Sequence, residues 1–286
     1  MSKRHNDIQQ RLKEWLDKGG YPLEMQVART FRQKGFSVIQ SDYFVDPESE
    51  KQREIDVVAF KEQRVDDTLL RISFVVECKV SKNKPWVLFT SDEVFLSESR
   101  KVSQRFTSLL GALFLRSLVH SQVDEDVAKS LLFALPKRPA YGVTNAFTEG
   151  KDVPYEACMS VAKAAKAKVW KTDQFMAQSK KRVVEIAFPV VVIDALLFEV
   201  FLEEDDIGLE KVDFGVLVWR NPVSFLPHTI IHIVTKNYLG RFVQSANETV
   251  NLLFSRKKAI TNLKRYFVVK EEEGLSVYQI NQESPF

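Results

Sequence analysis

Apolar residues return at helical spacing twice near the start of the chain. Ile8, Leu12, Trp15 and Leu16 fall at i, i+4, i+7 and i+8 behind a candidate cap at Asn6, and Gly19-Gly20 closes the segment. A second helix follows: Pro22 suits its first position, Leu23, Val27 and Phe31 repeat on one face, and Gly35 stands where a left-handed cap is wanted. From Phe36 the period shortens to that of strands. The segments FSVIQSDYFV, REIDVVAF and LLRISFVVECKV, separated by the charged linkers DPESEKQ and KEQRVDD, read as a three-stranded meander.

Farther on, residues 92–135 read as helical, with an apolar face through Phe106, Leu109, Leu110, Leu113 and Leu118 and a short helix behind Asp124. The stretch from Pro136 to Pro154 reads as a loop. Tyr155 to Lys171 is rich in Ala and Lys, keeps Val161, Ala165 and Val169 in register, and reads as a helix that lies close on a sheet. Strands resume at VVVIDALLFEVFL, VDFGVLVWR and HTIIHIVT. A helix from about Gly240 to Lys258 and the strand pair RYFVV and LSVYQI finish the chain, which has no internal repeat.

With 286 residues, of which 45% are hydrophobic and 28% charged, the chain can bury a full core, which excludes disordered and small disulfide-scaffold classes. Forty-one Lys and Arg against thirty-eight Asp and Glu leave a charge of +3, so any anion-binding site must be local. Leu109 to Val119 is too short to span a bilayer and carries Arg116; Phe188 to Leu202 is broken by Pro189, Asp194 and Glu199. Only Cys78 and Cys158 are present and MSKRHNDIQQ has no apolar signal core, so the expectation is a reduced, cytoplasmic chain without membrane contact. A Gly-rich phosphate loop of the G-x-x-x-x-G-K-S kind is missing, against an ATP motor.

The chemistry concentrates in the second and third strands. If they form a hairpin turning at Val65, Asp66 and Asp67, residues whose numbers sum to about 133 face each other, which pairs Asp56 with Glu77. Their Cβ atoms would then lie roughly 5 Å apart. Side-chain alternation puts Lys79 on the face of Glu77 and Cys78 on the opposite one, where the thiol reads as a small core residue rather than a nucleophile. Two adjacent carboxylates in an apolar strand pair repel each other and need a compensating cation. A hard divalent ion, Mg²⁺ or Mn²⁺, suits that donor set, with the backbone carbonyl of Cys78 as a further ligand. The bland alternative is a cross-strand salt bridge on an exposed face, which the apolar flanks disfavour.

The succession of helical Glu24, Asp56 in REIDVVAF and Glu77-Cys78-Lys79 in FVVECKV resembles the PD-(D/E)XK nuclease superfamily. The resemblance is best over residues 20–90, and the Ala-rich helix from Tyr155 with the strand FPVVVIDALLFEV looks like that fold's later helix and fourth strand. Ile55 stands where some members carry Pro, and the stretch between Lys79 and the Tyr155 helix is long. What the resemblance implies is an α/β chain with a restriction-endonuclease-like mixed central sheet flanked by helices. It would be one domain, with core segments at about 20–90 and 151–220, a helical insertion at about 92–150 and a C-terminal extension at about 221–286. It also implies metal-dependent hydrolysis of phosphodiester bonds, with Asp56 and Glu77 as metal ligands, Lys79 as the catalytic lysine and Glu24 as a helical acid near the metal. A carboxylate in a first helical turn is equally explained by the helix dipole.

For contact with nucleic acid, DNA being the expected substrate, Lys82 and Lys84 just beyond Lys79 are the leading candidates. Arg29, Arg32 and Lys34, the run Lys180-Lys181-Arg182 and the run Arg256-Lys257-Lys258 are weaker ones, and Trp86 reads as a core aromatic. His228 and His232 fall in a strand, where four residues separate them too widely for a zinc pair. Two other readings are a nuclease-like fold serving only as a nucleic-acid or protein interaction module, and an enzyme that needs a partner subunit for targeting. A homodimer is open as well.

Overall fold

The computed structural model describes residues 2–46, 49–81, 83–92, 96–120, 122–148, 152–179, 181–204, 206–219, 228–263, 267–272 and 275–280. The N-terminal part runs α1 (Ser2–Gly19), α2 (Tyr21–Gln33), β1 (Ser37–Val45), β2 (Gln52–Val65), β3 (Thr68–Val80) and β4 (Trp86–Thr90). Next come α3 (Glu98–Ser103), β5 (Phe106–Thr107), α4 (Leu109–Ser117), α5 (Glu125–Lys129), β6 (Ala140–Asn145) and α6 (Val153–Ser179). The remainder is β7 (Arg182–Asp194), β8 (Leu197–Glu203), β9 (Asp206–Val212), β10 (Phe214–Trp219), β11 (Thr229–Thr235), α7 (Leu239–Ser255), α8 (Lys257–Leu263), β12 (Phe267–Glu272) and β13 (Leu275–Ile280).

The chain is α/β, with one large mixed sheet flanked by helices. Its strands follow the order β1-β2-β3-β7-β11-β10-β6-β4-β8-β9, with β5 paired to β7 at the side, while β12 and β13 form a separate hairpin. The first three strands are the expected antiparallel meander, and β3, β7 and β11 then run parallel. Burial explains why these last strands carry unbroken apolar runs: β11 is buried along its whole length and β7 at all but its terminal residues, so neither has a solvent face to keep polar. Pro189 is tolerated inside β7 because it falls where the strand changes neighbours. Residues 186 and 187 pair with β5 and residues 190 to 193 with β11, so no ladder bond is asked of the missing N–H.

Helices cover both faces. Alanines of α6 (Ala157, Ala162, Ala164 and Ala165) lie against Val75, Val191, Ile193 and Ile231 on one face. On the other, α2, α4, α5, α7 and α8 close over Phe74, Val76, Cys78, Phe188 and Val190. Phe31, Phe36, Phe74, Phe188 and Phe133 form a chain of ring contacts through this layer at 5.3–5.7 Å. The exposed stripe of α1, by contrast, leaves Ile8, Leu12 and Trp15 about half open to solvent.

Several expectations are corrected. Asn6 does not cap α1, which starts at Ser2. Residues 61–65, read as linker, complete β2, and the turn closes at Asp66-Asp67, with Asp66 in the left-handed region at φ 53°. The span 92–150, read as a helical insertion, contributes β5 and β6 to the sheet; Phe106 sits in β5 and not on a helix, and Leu109 is exposed. Asp124 does cap α5, accepting from the Val127 N–H. Residues 86–90 form β4, and residues 206–212 form the exposed edge strand β9, short and interrupted by Gly208, which the sequence reading missed. The run VVVIDALLFEVFL breaks at Ala195-Leu196 into β7 and β8. Beyond residue 221 the chain returns as β11, between β7 and β10, and is no appendage to the sheet.

One glycine is fixed by a close approach. A Cβ on Gly111 in α4 would stand 2.4 Å from the Glu185 carbonyl oxygen and 3.0 Å from Cβ of Thr107. Gly111→Ala is therefore expected to push α4 off β7 and destabilise the fold by about 1–3 kcal/mol, read from urea unfolding as a lower midpoint at unchanged m-value.

Candidate active site

Asp56 and Glu77 stand where β2 and β3 stop pairing. The ladder between them runs from Val65–Thr68 to Val57–Val76 in the expected register and ends one step short of the two carboxylates. There the strands part, and the Cys78 N–H donates instead to Asp56 Oδ2 at 2.6 Å. The N–H and C=O of one strand residue point to the same flank, so the Cys78 carbonyl faces the gap that holds Asp56. Its side chain turns into the opposite core.

A kink in the neighbouring strand helps aim Asp56. The β1–β2 ladder passes from Gln40–Val57 to Asp42–Ile55 without pairing Ser41 and Asp56, and Ser41 has φ 53°. Ile55 belongs to the α6 side and Val57 to the α2 side, although residues two apart on a strand ordinarily share a face. The chain turns over at Asp56, as backbone irregularities beside functional sites often make it do.

Lys79 lies on the Glu77 face, as alternation requires, with Nζ 2.5 Å from Glu77 Oε1. From α6, Ser160 Oγ donates to Glu77 Oε2 at 3.3 Å. Glu77 and Lys79 line a cleft of about 370 Å³ with Arg53, Tyr155, Glu156, Met159, Ser160 and Lys163. Asp56 and Glu24 are not part of that lining; they approach the same pair from β2 and from the first turn of α2. Lys84 is exposed, uses its carbonyl to accept from Ser81 and Asn145, and does not line the cleft. Lys82 lies outside the described residues, as does Lys180. Of the other basic candidates, Arg182 pairs with Asp67, and Arg256 with Asp124 and Asp126.

The electrostatics are those of crowded acids. Burial raises Glu24 to about 7, with the charges of Asp56, Glu54 and Glu77 adding to it and Lys79 opposing. Burial likewise raises Asp56, against the Cys78 N–H and Lys79. Glu77 is raised by burial and by Asp56, again against Lys79. For Lys79, burial acts downward but is outweighed by Glu77 and Asp56, so its ammonium form is reinforced. Burial pushes the Cys78 thiol well up, which removes it as a nucleophile.

Among the described residues no three His, Cys, Asp or Glu side chains form a ready metal cage. By donor chemistry the pair Asp56 and Glu77, with the Cys78 carbonyl beside them, could hold a hard divalent ion. Such ions are commonly held by one or two carboxylates, the rest of the shell being water and substrate phosphate. His232 is buried among Phe188, Phe214 and Phe242, and burial lowers it to about 3; it is a core residue, as read from its strand. Trp86 is fully buried too. Cys78 and Cys158 are both free thiols, and among the described residues no helix is long and apolar enough to cross a membrane.

Family models, curated proteins and solved structures give no match to this chain. The site is thus described by its own geometry. Sequence reading missed Asp46, Arg53, Glu54, Ser160 and Lys163. Glu156, Ser160 and Lys163 fall at i, i+4 and i+7, a polar stripe on an otherwise Ala-rich helix, and that signal was present.

The raised Glu24 sets a pH dependence. Its folded value of about 7 lies above the ordinary 4.5, so its contribution to stability is full below about 4.5 and is lost as pH rises toward 7. Glu24→Gln is expected to gain Tm over the parent chain progressively between pH 4.5 and 7 in scanning calorimetry, and a pH-independent difference would contradict the coupling.

Proposed function

We propose that this chain is a divalent-metal-dependent nuclease that hydrolyses phosphodiester bonds, with DNA as its substrate. The carrying observation is the meeting of Asp56, Glu77 and Lys79 at the open end of the β2–β3 ladder, with Glu24 coupled to them from α2. The order of helix α2, meander β1–β3, helix α6 and parallel strand β7 further supports the resemblance to the restriction-endonuclease-like core.

In this reading Asp56, Glu77 and the Cys78 carbonyl hold Mg²⁺ or Mn²⁺, with Glu24 nearby. Such an ion supplies Lewis-acid polarisation of the phosphoryl group and a more acidic water. Lys79, donor-only while charged, orients the attacking water and offsets negative charge growing on the phosphoryl oxygens. Ser160 restrains Glu77 from the other side. Glu24 would add a further carboxylate beside the ion from the first turn of α2.

The test is cleavage of plasmid, linear and single-stranded DNA, and of RNA, with Mg²⁺ or Mn²⁺. The parent chain should cut at least one of these, EDTA should abolish cutting, and Lys79→Ala and Asp56→Asn should each lower the rate by at least about 10²-fold, a loss typical of one removed transition-state contact. Oligonucleotide binding that persists in EDTA without cleavage under any metal would transfer the chain to the class of interaction modules.

A further inference from the structure

The sheet ends on two edge strands of different character. β1 is broken by the kink at Ser41, with φ 53°, a device that spoils an edge as a template for further pairing. At the other end β9 runs from Asp206 to Val212 with no proline and no register shift against β8. Among the described residues no strand pairs with its outer side. Every second residue of such a strand turns its N–H and C=O outward, so the edge carries donors and acceptors ready for another strand.

The side chains there are apolar on one face. Leu202 stands opposite Ile207, and Leu209 follows two places on, so the three share a face. They are 78%, 75% and 64% exposed, a contiguous patch of the kind that marks an interaction surface. The reverse face is already filled. Phe201 lies over Gly208, where a Cβ would stand 2.3 Å from its ring, and the Arg138 guanidinium sits 3.6 Å from the centre of that ring.

The order of charges along β9 points to the occupant. Two copies joined across a two-fold axis pair antiparallel about one residue that faces itself. Among such registers that join five or more residues of β9, centring on Gly208 sets Asp206 against Glu210, and centring on Glu210 sets that acid against itself. Like charges directly opposite are destabilising. Centring on Leu209 joins all seven residues: Leu209 meets Leu209, Ile207 meets Lys211, Gly208 meets Glu210 and Asp206 meets Val212. No like charges meet, and the lysine stem covers the isoleucine. The longest symmetric register is also the one that the charges permit.

We infer that a second copy of this chain adds its own β9 antiparallel to this one, centred on Leu209, and continues the sheet across a two-fold axis. Leu202, Ile207 and Leu209 of both copies then close into one apolar strip beside the joined backbones. The pairing makes no use of Asp56, Glu77 or Lys79 and is independent of the nuclease reading.

The experiment is sedimentation velocity over about 1–100 μM, in which the parent chain should pass from one chain mass to two. Leu209→Lys sets two ammonium groups on the axis and should weaken association at least about tenfold, a loss that withdrawing two buried leucines would reach alone. Ile207→Lys should weaken it more than Ile207→Glu, because only the first meets Lys211 of the second copy with like charge. Leu209→Cys should cross-link two copies on mild oxidation, the Cα spacing of about 4.5–5.5 Å between paired residues suiting a disulfide, whereas Lys211→Cys should not. The native Cys78 and Cys158 are buried, so the parent chain serves as the uncross-linked control.

A parent chain still monomeric at about 100 μM would overturn the inference, and so would a dimer that Leu209→Lys leaves intact. Cross-linking through Lys211→Cys as fast as through Leu209→Cys would overturn the register and the charge argument with it. The changed side chains are exposed in the single chain, so circular dichroism should match the parent in every variant. Where a charged variant does not match, the Leu209→Cys cross-link decides.

Discussion

Negative charge set at the half-buried end of a sheet must be answered by positive charge, and the arrangement around Asp56 and Glu77 follows from that need. A closed ladder would leave these carboxylates side by side with only each other for neighbours. Because β2 and β3 part just before them, a backbone N–H becomes available to Asp56, while Lys79 reaches Glu77 along the strand face that the two share. The compensation is partial, since burial still raises all three acids, and a site in that condition gains from any further cation.

The rest of the molecule supplies rigidity to that corner. β3 is locked to β7 along its length, right past Glu77 to Val80, so the splayed side of the strand is backed by an unbroken parallel ladder on the other. The two helical layers differ in kind. α6 approaches the sheet through small side chains and so carries Ser160 and Lys163 close to β3 and the end of β1, while the α2 side is filled largely by phenylalanines. Another buried acid, Glu185 on β7, is held by Ser73, Thr172, Lys168 and Arg71, and it ties α6 to the sheet at the end away from the cleft.

How much of this was legible in the sequence depends on range. The hairpin register and the sharing of one face by Glu77 and Lys79 are local consequences of strand alternation, and they could be read from REIDVVAF and FVVECKV. The Ala-rich helix was legible because a single strong period spans it. β4 and β6 were not: they are short, Gly142 interrupts the second, and each becomes a strand only by pairing with partners distant in the chain. Asp46 was hidden for the same reason. In sequence it opens a charged linker, and only folding shows that the linker's first residue is buried under Arg53 and Lys163.

That hairpin also has a bearing on the order in which the molecule is made. Asp56 and Cys78 come within reach across a tight turn, 22 positions apart, whereas the link between Lys163 and Asp46 spans 117. Contacts of short separation close early and long ones late. A growing chain that has emerged only as far as β4 can therefore hold its acids together while the helix that completes the cleft is not yet synthesised. The cleft belongs to the finished molecule, and a half-made copy carries its paired acids without the wall that α6 supplies.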